Sequence, residues 1–468
     1  MQIIKYIIIF LTTAIFLGSC VKEEYNNDIS AKIQFSTDTI FFDTVFTDVG
    51  STTAYLTIRN PYDEFLNINS IALGRGSSSQ YRINVNGQSS DLVRNIELAP
   101  HDSLYILVEV TINPNADNAP FVVQDSIICN INGDIQDVKL MAWGQNAHYI
   151  DGRYNGHIQT TTWTADKPYL IYNSMMVDKN HILTIEAGTK IYLHKSSYII
   201  AAGKLDIKGT FENPVIIQGD RLEESYQDIP GQWGNIILAD QSGTHNIKWA
   251  EIKNGIIGIQ LGGLTGGKSP KLVIENSKIE NMNYAGIFSL SSTIDAKNIL
   301  VSNSGFYGMA LLAGGDYQFK HCTFANYWNH SQRTESTVVI SNNFTNSEGQ
   351  FVGDLIRADF GNCIIYGDKE NEVLFSDEGT VDFNYTFTNS LIRVNEDLDI
   401  NNKHFINVIK NEDPDFINPS DLIFMLNTSS PAINVGDLTI GEDASIDLNG
   451  NSHIIDAKPD LGAYEWVE

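Results

Sequence analysis

The chain has 468 residues, long enough for several domains or one extended repeat array with a sizeable core. Its 57 acidic against 30 basic residues give a formal charge of -27, which repels phosphate backbones and argues against a nucleic-acid partner. The four cysteines, Cys20, Cys129, Cys322 and Cys363, form no CxxC and no histidine-paired spacing, so neither a zinc site nor a disulfide framework is implied.

The first residues carry one charge, Lys5, and then an apolar run from Tyr6 to Leu17 broken only by Thr12 and Thr13. That pattern reads as a secretory signal, too short for the ~20 apolar residues of a membrane span. Leu17-Gly18-Ser19-Cys20 resembles the lipobox of bacterial lipoproteins. The resemblance implies cleavage before Cys20 and a lipid on its thiol, and two or three acyl chains hold a protein on a membrane durably. Lys22-Glu23-Glu24 follows directly and resembles the surface-export signal of lipoproteins in the Bacteroidota. The expected location is therefore the outer membrane, lipid-anchored and facing the medium. Residues 1–20 are the expected signal peptide and 21–31 a polar tether.

From 32 to 148 the chain alternates in short segments, among them Thr39–Phe46, Ala54–Arg59, Leu66–Leu73, Tyr81–Val85 and 104–112. Gly, Asn, Asp or Pro bounds each, as in Asn60-Pro61 and Asn132-Gly133, which predicts an antiparallel β-sandwich of about eight strands. The segment resembles immunoglobulin-like domains of the ASPM/SPD-2/hydin type, in which a strand ends in an Arg-Asn-Pro turn such as Arg59-Asn60-Pro61. Such modules are spacers or binding platforms, and no chemistry follows.

From 149 to 468 the chain repeats. Six eight-residue segments starting at Ile247, Ile274, Ala296, Phe319, Phe360 and Phe387 align, at steps of 27, 22, 23, 41 and 27 residues. One column reads Ala250, Ser277, Ile299, Cys322, Cys363, Ser390 and another Ile252, Ile279, Val301, Phe324, Ile365, Ile392; both are expected to face inward. The columns between them, Glu251 to Leu391 and Lys253 to Arg393, are expected to face outward. Asn276, Asn298, Asn362 and Asn389 share a corner column with Trp249 and His321, where stacked side chains would bond along the solenoid axis. Second strands open on Gly258, Gly286 and Gly308. The pattern predicts an all-β chain in which the sandwich is followed by a right-handed parallel β-helix. The stretches 183–193 and 205–217 resemble bacterial pectate-lyase-like β-helices, and Asp415 to Glu465 resembles the end of β-helix proteins of the "choice-of-anchor Q" group, a C-terminal capping segment. These resemblances imply a fold and a surface or secreted life, not one activity.

Polysaccharide chemistry on such a fold needs titratable groups stacked on the outward face of neighbouring coils. The readable outward positions, Gln260, Phe288 and Ala310 among them, are poor in such groups, so no catalytic residue is assigned. The 41-residue step is the exception: an insertion between Asn326 and Gly367 gathers Tyr327, Trp328, His330, Arg333, Glu335, Asp354, Arg357 and Asp359. Of these, Trp328, His330, Arg333, Asp354, Arg357 and Asp359 are the candidate ligand residues, since an aromatic beside charged groups suits a sugar ring. Asp447, Asn449 and Asn451 are spaced like the start of a calcium loop, but Lys458 stands where the bidentate glutamate belongs, so no metal site or cofactor is assigned. Three readings remain open: a non-enzymatic module that binds glycan, matrix or an envelope or host protein; a polysaccharide lyase or glycoside hydrolase; and a purely structural envelope component. Three or more charged side chains converging in one groove would favour the enzyme.

Overall fold

A computed structural model of the chain describes residues 24–116, 120–240, 242–263, 270–455 and 457–467. Cys20, Lys22 and Glu23 lie outside them. Two compact units divide between Asn146 and Ala147.

The first unit is a sandwich of two five-stranded sheets. One sheet contains Ala54–Arg59, Ser103–Val110 and Tyr81–Val85; the other contains Thr39–Phe46, Asp134–Gln145, Phe121–Ile131 and Leu66–Leu73. Alternation does what it should: Leu104, Ile106, Val108 and Val110 point into the core while the residues between them face out. A strand that the alternation does not reveal, Leu92–Leu98, forms the edge beside Leu66–Leu73. The Arg-Asn-Pro turn has a physical reason. Asn60 is fully buried, and its amide donates to Glu64 O, Leu98 O and Ala99 O while Oδ1 accepts from Tyr62 N. The stretch expected as a tether is laid on the sandwich in its described part: Asn26 N donates to Phe65 O, and Ala31 is buried.

The second unit is a parallel β-helix whose strands form one continuous 26-stranded sheet curled into three faces. The first face carries Lys190–Leu193, Val215–Gly219, Ala250–Lys253, Thr323–Asn326 and Ile364–Gly367. Trp233–Leu238, Gly255–Leu261 and Val338–Ser341 lie on the second; Lys204–Lys208, Thr244–Lys248, Leu355–Gly361 and Thr386–Thr388 lie on the third. Both inward columns are buried along their whole length, and Glu251 meets Lys278 in register at 3.9 Å. The corner between the third and first faces needs left-handed backbone, and Trp249, Asn276, Asn298, His321, Asn362 and Asn389 supply it with φ between 44 and 53°. Close approach accounts for the glycine column: a Cβ on Gly286 would stand 2.3 Å from Val301 Cγ1 and 2.6 Å from Gly308 O.

Two expectations are corrected here. Leu300, Thr323, Ala325, Ile364, Tyr366 and Leu391 do point outward, but they are buried. Their cover is the segment 412–467, which lays Phe416, Phe424, Leu426, Leu448, Leu461 and Tyr464 across the first face in a second core. An aliphatic outward column is stable only when something removes it from water. The corner side chains, expected to bond mainly to one another, mostly hold this strap. Asn298 donates to Ile446 O, Asn389 to Val435 O at 2.8 Å, and Asn362 to Asp437 O at 2.9 Å. Axial bonding occurs within this column where Asn362 donates to His321 Nε2 at 2.8 Å, and a longer ladder forms at the next corner, where Asn281 donates to Asn254 Oδ1 at 2.7 Å and Asn303 to Asn281 Oδ1 at 3.3 Å.

Candidate functional site

The residues grouped in the insertion are divided by the solenoid itself. Val338–Ser341 returns to the second face and splits the insertion into a loop, 327–337, and a hairpin of Asn343–Asn346 with Gly349–Val352. Arg357 and Asp359 then lie on the third-face strand Leu355–Gly361, away from the loop.

Arg333 fastens the loop and does not face solvent. Its Nη1 and Nη2 reach the two oxygens of Glu372 at 2.7 and 2.6 Å, with side-chain exposures of 1% and 0%. Nη1 also donates to Glu335 O and Nη2 to Asn326 O, and Asp368 completes the pairing. Glu372 further accepts from Thr337 N, Thr337 Oγ1 and Lys369 N. Both terminal nitrogens and both carboxylate oxygens are bonded, which offsets the desolvation that would otherwise make the pair costly, while Arg333 Nε is left buried without a partner among the described residues. Trp328 is buried as well; its Nε1 donates to Ser331 Oγ, its ring lies 4.9 Å from exposed His330, and it backs Gly305.

What the loop supports is an aromatic surface at the corner between the first and second faces. Backbone bonds from Phe306 N and Tyr307 N to Tyr284 O stack two successive coils there. The Tyr284 ring lies 5.0 Å from Phe306, 5.8 Å from Tyr307 and 6.1 Å from Phe288. Phe344, from the hairpin, meets Phe288 edge-on at 6.3 Å. Phe306 is 41% exposed, and Tyr284, Phe288, Tyr307 and Phe344 are half-buried. Burial, with the Glu335 carboxylate second, pushes Tyr307 up to about 12 and raises Tyr284. Neither phenol has a hydrogen-bond partner among the described residues. Exposed rings, free hydroxyls and one nearby carboxylate make a surface that can stack on an apolar sugar face and bond its hydroxyls. Only Phe288 of this group is legible from the repeat. The missed signal is an aromatic at two consecutive corners, Tyr284 after Asn283 and Phe306 after Gly305.

A second, polar group sits on the third face. Arg357 Nε donates to Asp316 Oδ1 at 2.8 Å and lies 3.9 Å from Asp359 Oδ2. Burial raises the Asp359 carboxyl, Arg357 pulls it back, and Asp316 raises it again. A cavity of about 250 Å³ adjoins, lined in part by Gln318, Lys320, Asp359, Thr386, Thr388 and Ile440. Lys297 and Lys320 are held by Asp443 of the helix Leu438–Asp443 at 3.0 and 2.6 Å. Asp354 is exposed and accepts from Asp382 N, outside this group. Asp316, Arg357 and Asp359 therefore meet on this face, without Arg333 or Asp354, but of the three only Asp359 lines the cavity, so they do not converge in one groove.

Asp447 is a turn anchor. Its carboxylate accepts from Asn449 N at 2.9 Å, Asn451 N at 2.6 Å and Glu465 N at 2.9 Å, all inside the strap. Among the described residues no cluster of three His, Cys, Asp or Glu is placed to hold a metal. Glu24, the first described residue, is exposed, and its carbonyl accepts from Phe65 N.

Residues 155–269 match the family of pectate-lyase-like β-helix domains. Among solved structures the chain is similar to the ASH/PapD-like domain of human CEP192 (PapD-like domain 7), at 12% identity and a TM-score of 0.17, over 28% of this chain and 94% of that one. No curated protein matches.

Proposed function

We propose that the chain is a lipid-anchored protein of a bacterial outer surface, of the Bacteroidota lipoprotein type, whose β-helix binds glycan without turning it over. The observation that carries the binding reading is the ring cluster of exposed Phe306 with half-buried Tyr284, Tyr307 and Phe288 beside Glu335. An apolar, ring-lined surface that keeps free phenols suits a sugar polymer better than a purely structural face does. A formal charge of -27 favours a neutral polymer over a polyanionic one. The anchor rests on Cys20 in its lipobox-like context and the surface address on Lys22, Glu23 and Glu24.

The test is a polysaccharide-binding screen on the soluble body, residues 21–468, with Tyr284→Ala and Phe306→Ala. Binding that falls about tenfold or more in both variants supports the reading; binding that survives both removes this surface from it. A second reading, a lyase or hydrolase, is favoured by the raised Asp359 carboxyl beside Arg357 and the adjoining cavity. Release of unsaturated or reducing ends, lost in Asp359→Asn, would replace the non-enzymatic reading. Metabolic labelling with a fatty acid, lost in Cys20→Ser, tests the anchor separately.

A further inference from the structure

The last full coils hold a pocket apart from both groups. A cavity of about 360 Å³, within the range of small-ligand sites, is lined by Tyr366, Glu370, Arg393, Asn395, Glu396 and Asp397, with Val394 and Asn411 completing it. Arg393 is its pivot. The guanidinium carbon lies 4.9 Å from the centre of the Tyr366 ring, and Nη1 donates to Gly367 O at 2.7 Å. Three carboxylates line the same cavity, yet among the described residues none pairs with Arg393. Glu396 is 85% exposed, bonded through one oxygen to Asn411 Nδ2 at 2.7 Å, and its other oxygen lies 4.0 Å from Lys410 Nζ, while Glu370 and Asp397 are exposed. The Asn395 side-chain amide has no hydrogen-bond partner among the described residues.

The cavity thus presents donors on one wall, from Arg393 and Asn395, and acceptors on the others, from Glu370, Glu396 and Asp397, none of them neutralising another. A ligand matching this pattern carries several groups that both donate and accept, which describes vicinal hydroxyls. Its charge is constrained too: with Lys410 set against Glu396, the two remaining carboxylates against one guanidinium still repel an anion, and Arg393 repels an ammonium group placed against it. We propose that this pocket binds one neutral sugar ring, with Arg393 as the residue that fixes its orientation. The inference does not depend on the aromatic surface, which would meet a chain from the side.

The test is calorimetric or ligand-observed NMR titration of the soluble body with neutral hexoses, 6-deoxyhexoses and N-acetylhexosamines, alongside a hexuronate and a free-amine hexosamine. At least one neutral sugar is expected to bind saturably. Arg393→Ala should weaken it about tenfold or more and Arg393→Lys less, because lysine keeps the charge without the planar fork. Glu396→Gln and Asp397→Asn, at exposed positions that leave the fold alone, should each weaken it several-fold, whereas Tyr284→Ala should not change it. Failure of every neutral sugar to bind wild type would overturn the proposal. So would binding indifferent to Arg393 and to both acids, or preference for the hexuronate or the free amine.

Discussion

The rings of His321 and His453 stack with centroids 3.9 Å apart and planes 30° from parallel, both fully buried. One ring belongs to the solenoid corner and the other to the strap, so the stack joins the two. His321 Nδ1 faces Gly462 O at 3.3 Å and Nε2 faces the Asn362 amide at 2.8 Å; a neutral ring protonated on Nδ1 satisfies both. His453 lies between two acceptors, so a neutral ring donates Nε2–H to Asn298 Oδ1 at 2.8 Å and shares a proton between Nδ1 and Glu465 Oε2 at 2.9 Å. Two imidazolium rings could not share this space.

Acid should therefore loosen the strap. Burial, then His453, drives His321 well below its usual range; burial takes His453 down to about 4. A histidine depressed on folding adds stability above its unfolded value near 6.5, and loses it as pH falls toward the folded one. Asp460 acts with the opposite sign: burial pushes it up to about 6, so it favours the folded state in acid and loses that contribution as pH rises. His453 and Asp460 thus act with opposite signs, and His321, driven down by burial and by His453, sets the direction of the net change. Amide hydrogen exchange across 430–465 should rise between about pH 6 and 4 while the solenoid strands stay protected, and His321→Asn, the residue of neighbouring corners, should flatten the change. Protection that is unchanged at pH 4 would sink the idea.

The strap's cover is as important as its clasp. Phe424, 1% exposed, packs edge-on against Phe416 at 5.3 Å over the outward face. Phe424→Ala should cost about 3–5 kcal/mol in denaturant unfolding. Removal of 412–467 should give an insoluble chain, because Leu300, Ile364 and Leu391 would return to water. A soluble, monomeric truncation with an unchanged melting temperature would contradict this.

What was legible from sequence follows from what is local. Inward columns alternate with period two and corners demand left-handed backbone, so Ile252 through Ile392 and Asn276 through Asn389 are readable at short range. The strap has no period, and its contacts to Asn298 span 148 residues. Its only trace in the repeat is that outward Leu300, Ile364 and Leu391 are too apolar to face water. The candidate site is least legible, for a related reason. Tyr284 and Phe306 fall at corners outside the aligned segments, and Arg333 resembles a ligand residue until Glu372, 39 residues on, is seen to bury it.

That ion pair makes a sharp test of the loop. Arg333→Ala leaves Glu372 buried and uncompensated and should cost about 3–5 kcal/mol, whereas Arg333→Met with Glu372→Leu should recover most of it. A double-mutant cycle on unfolding free energy measures the coupling. The single variant also frees the loop carrying Glu335, so glycan binding at the aromatic surface should weaken with it; additive single costs would mean that the pair is not coupled.

Gly286 separates two reasons for a glycine. Its φ is not in the left-handed region, but a Cβ there meets Val301 Cγ1 at 2.3 Å and the backbone of Gly308 at 2.6 Å. A side chain can rotate away, whereas a carbonyl held in the sheet ladder cannot. Gly286→Ala should therefore destabilise by about 3 kcal/mol or more, at the upper end of overpacking costs. Adding Val301→Ala should recover only part, since the Gly308 contact persists. Gly76, with φ of +54° and nothing within 4 Å of where a Cβ would stand, should lose only about 1–2 kcal/mol on the same change. Equal melting temperatures for the two alanine variants would show that the coils can spread, and that the glycine column is not what sets their spacing.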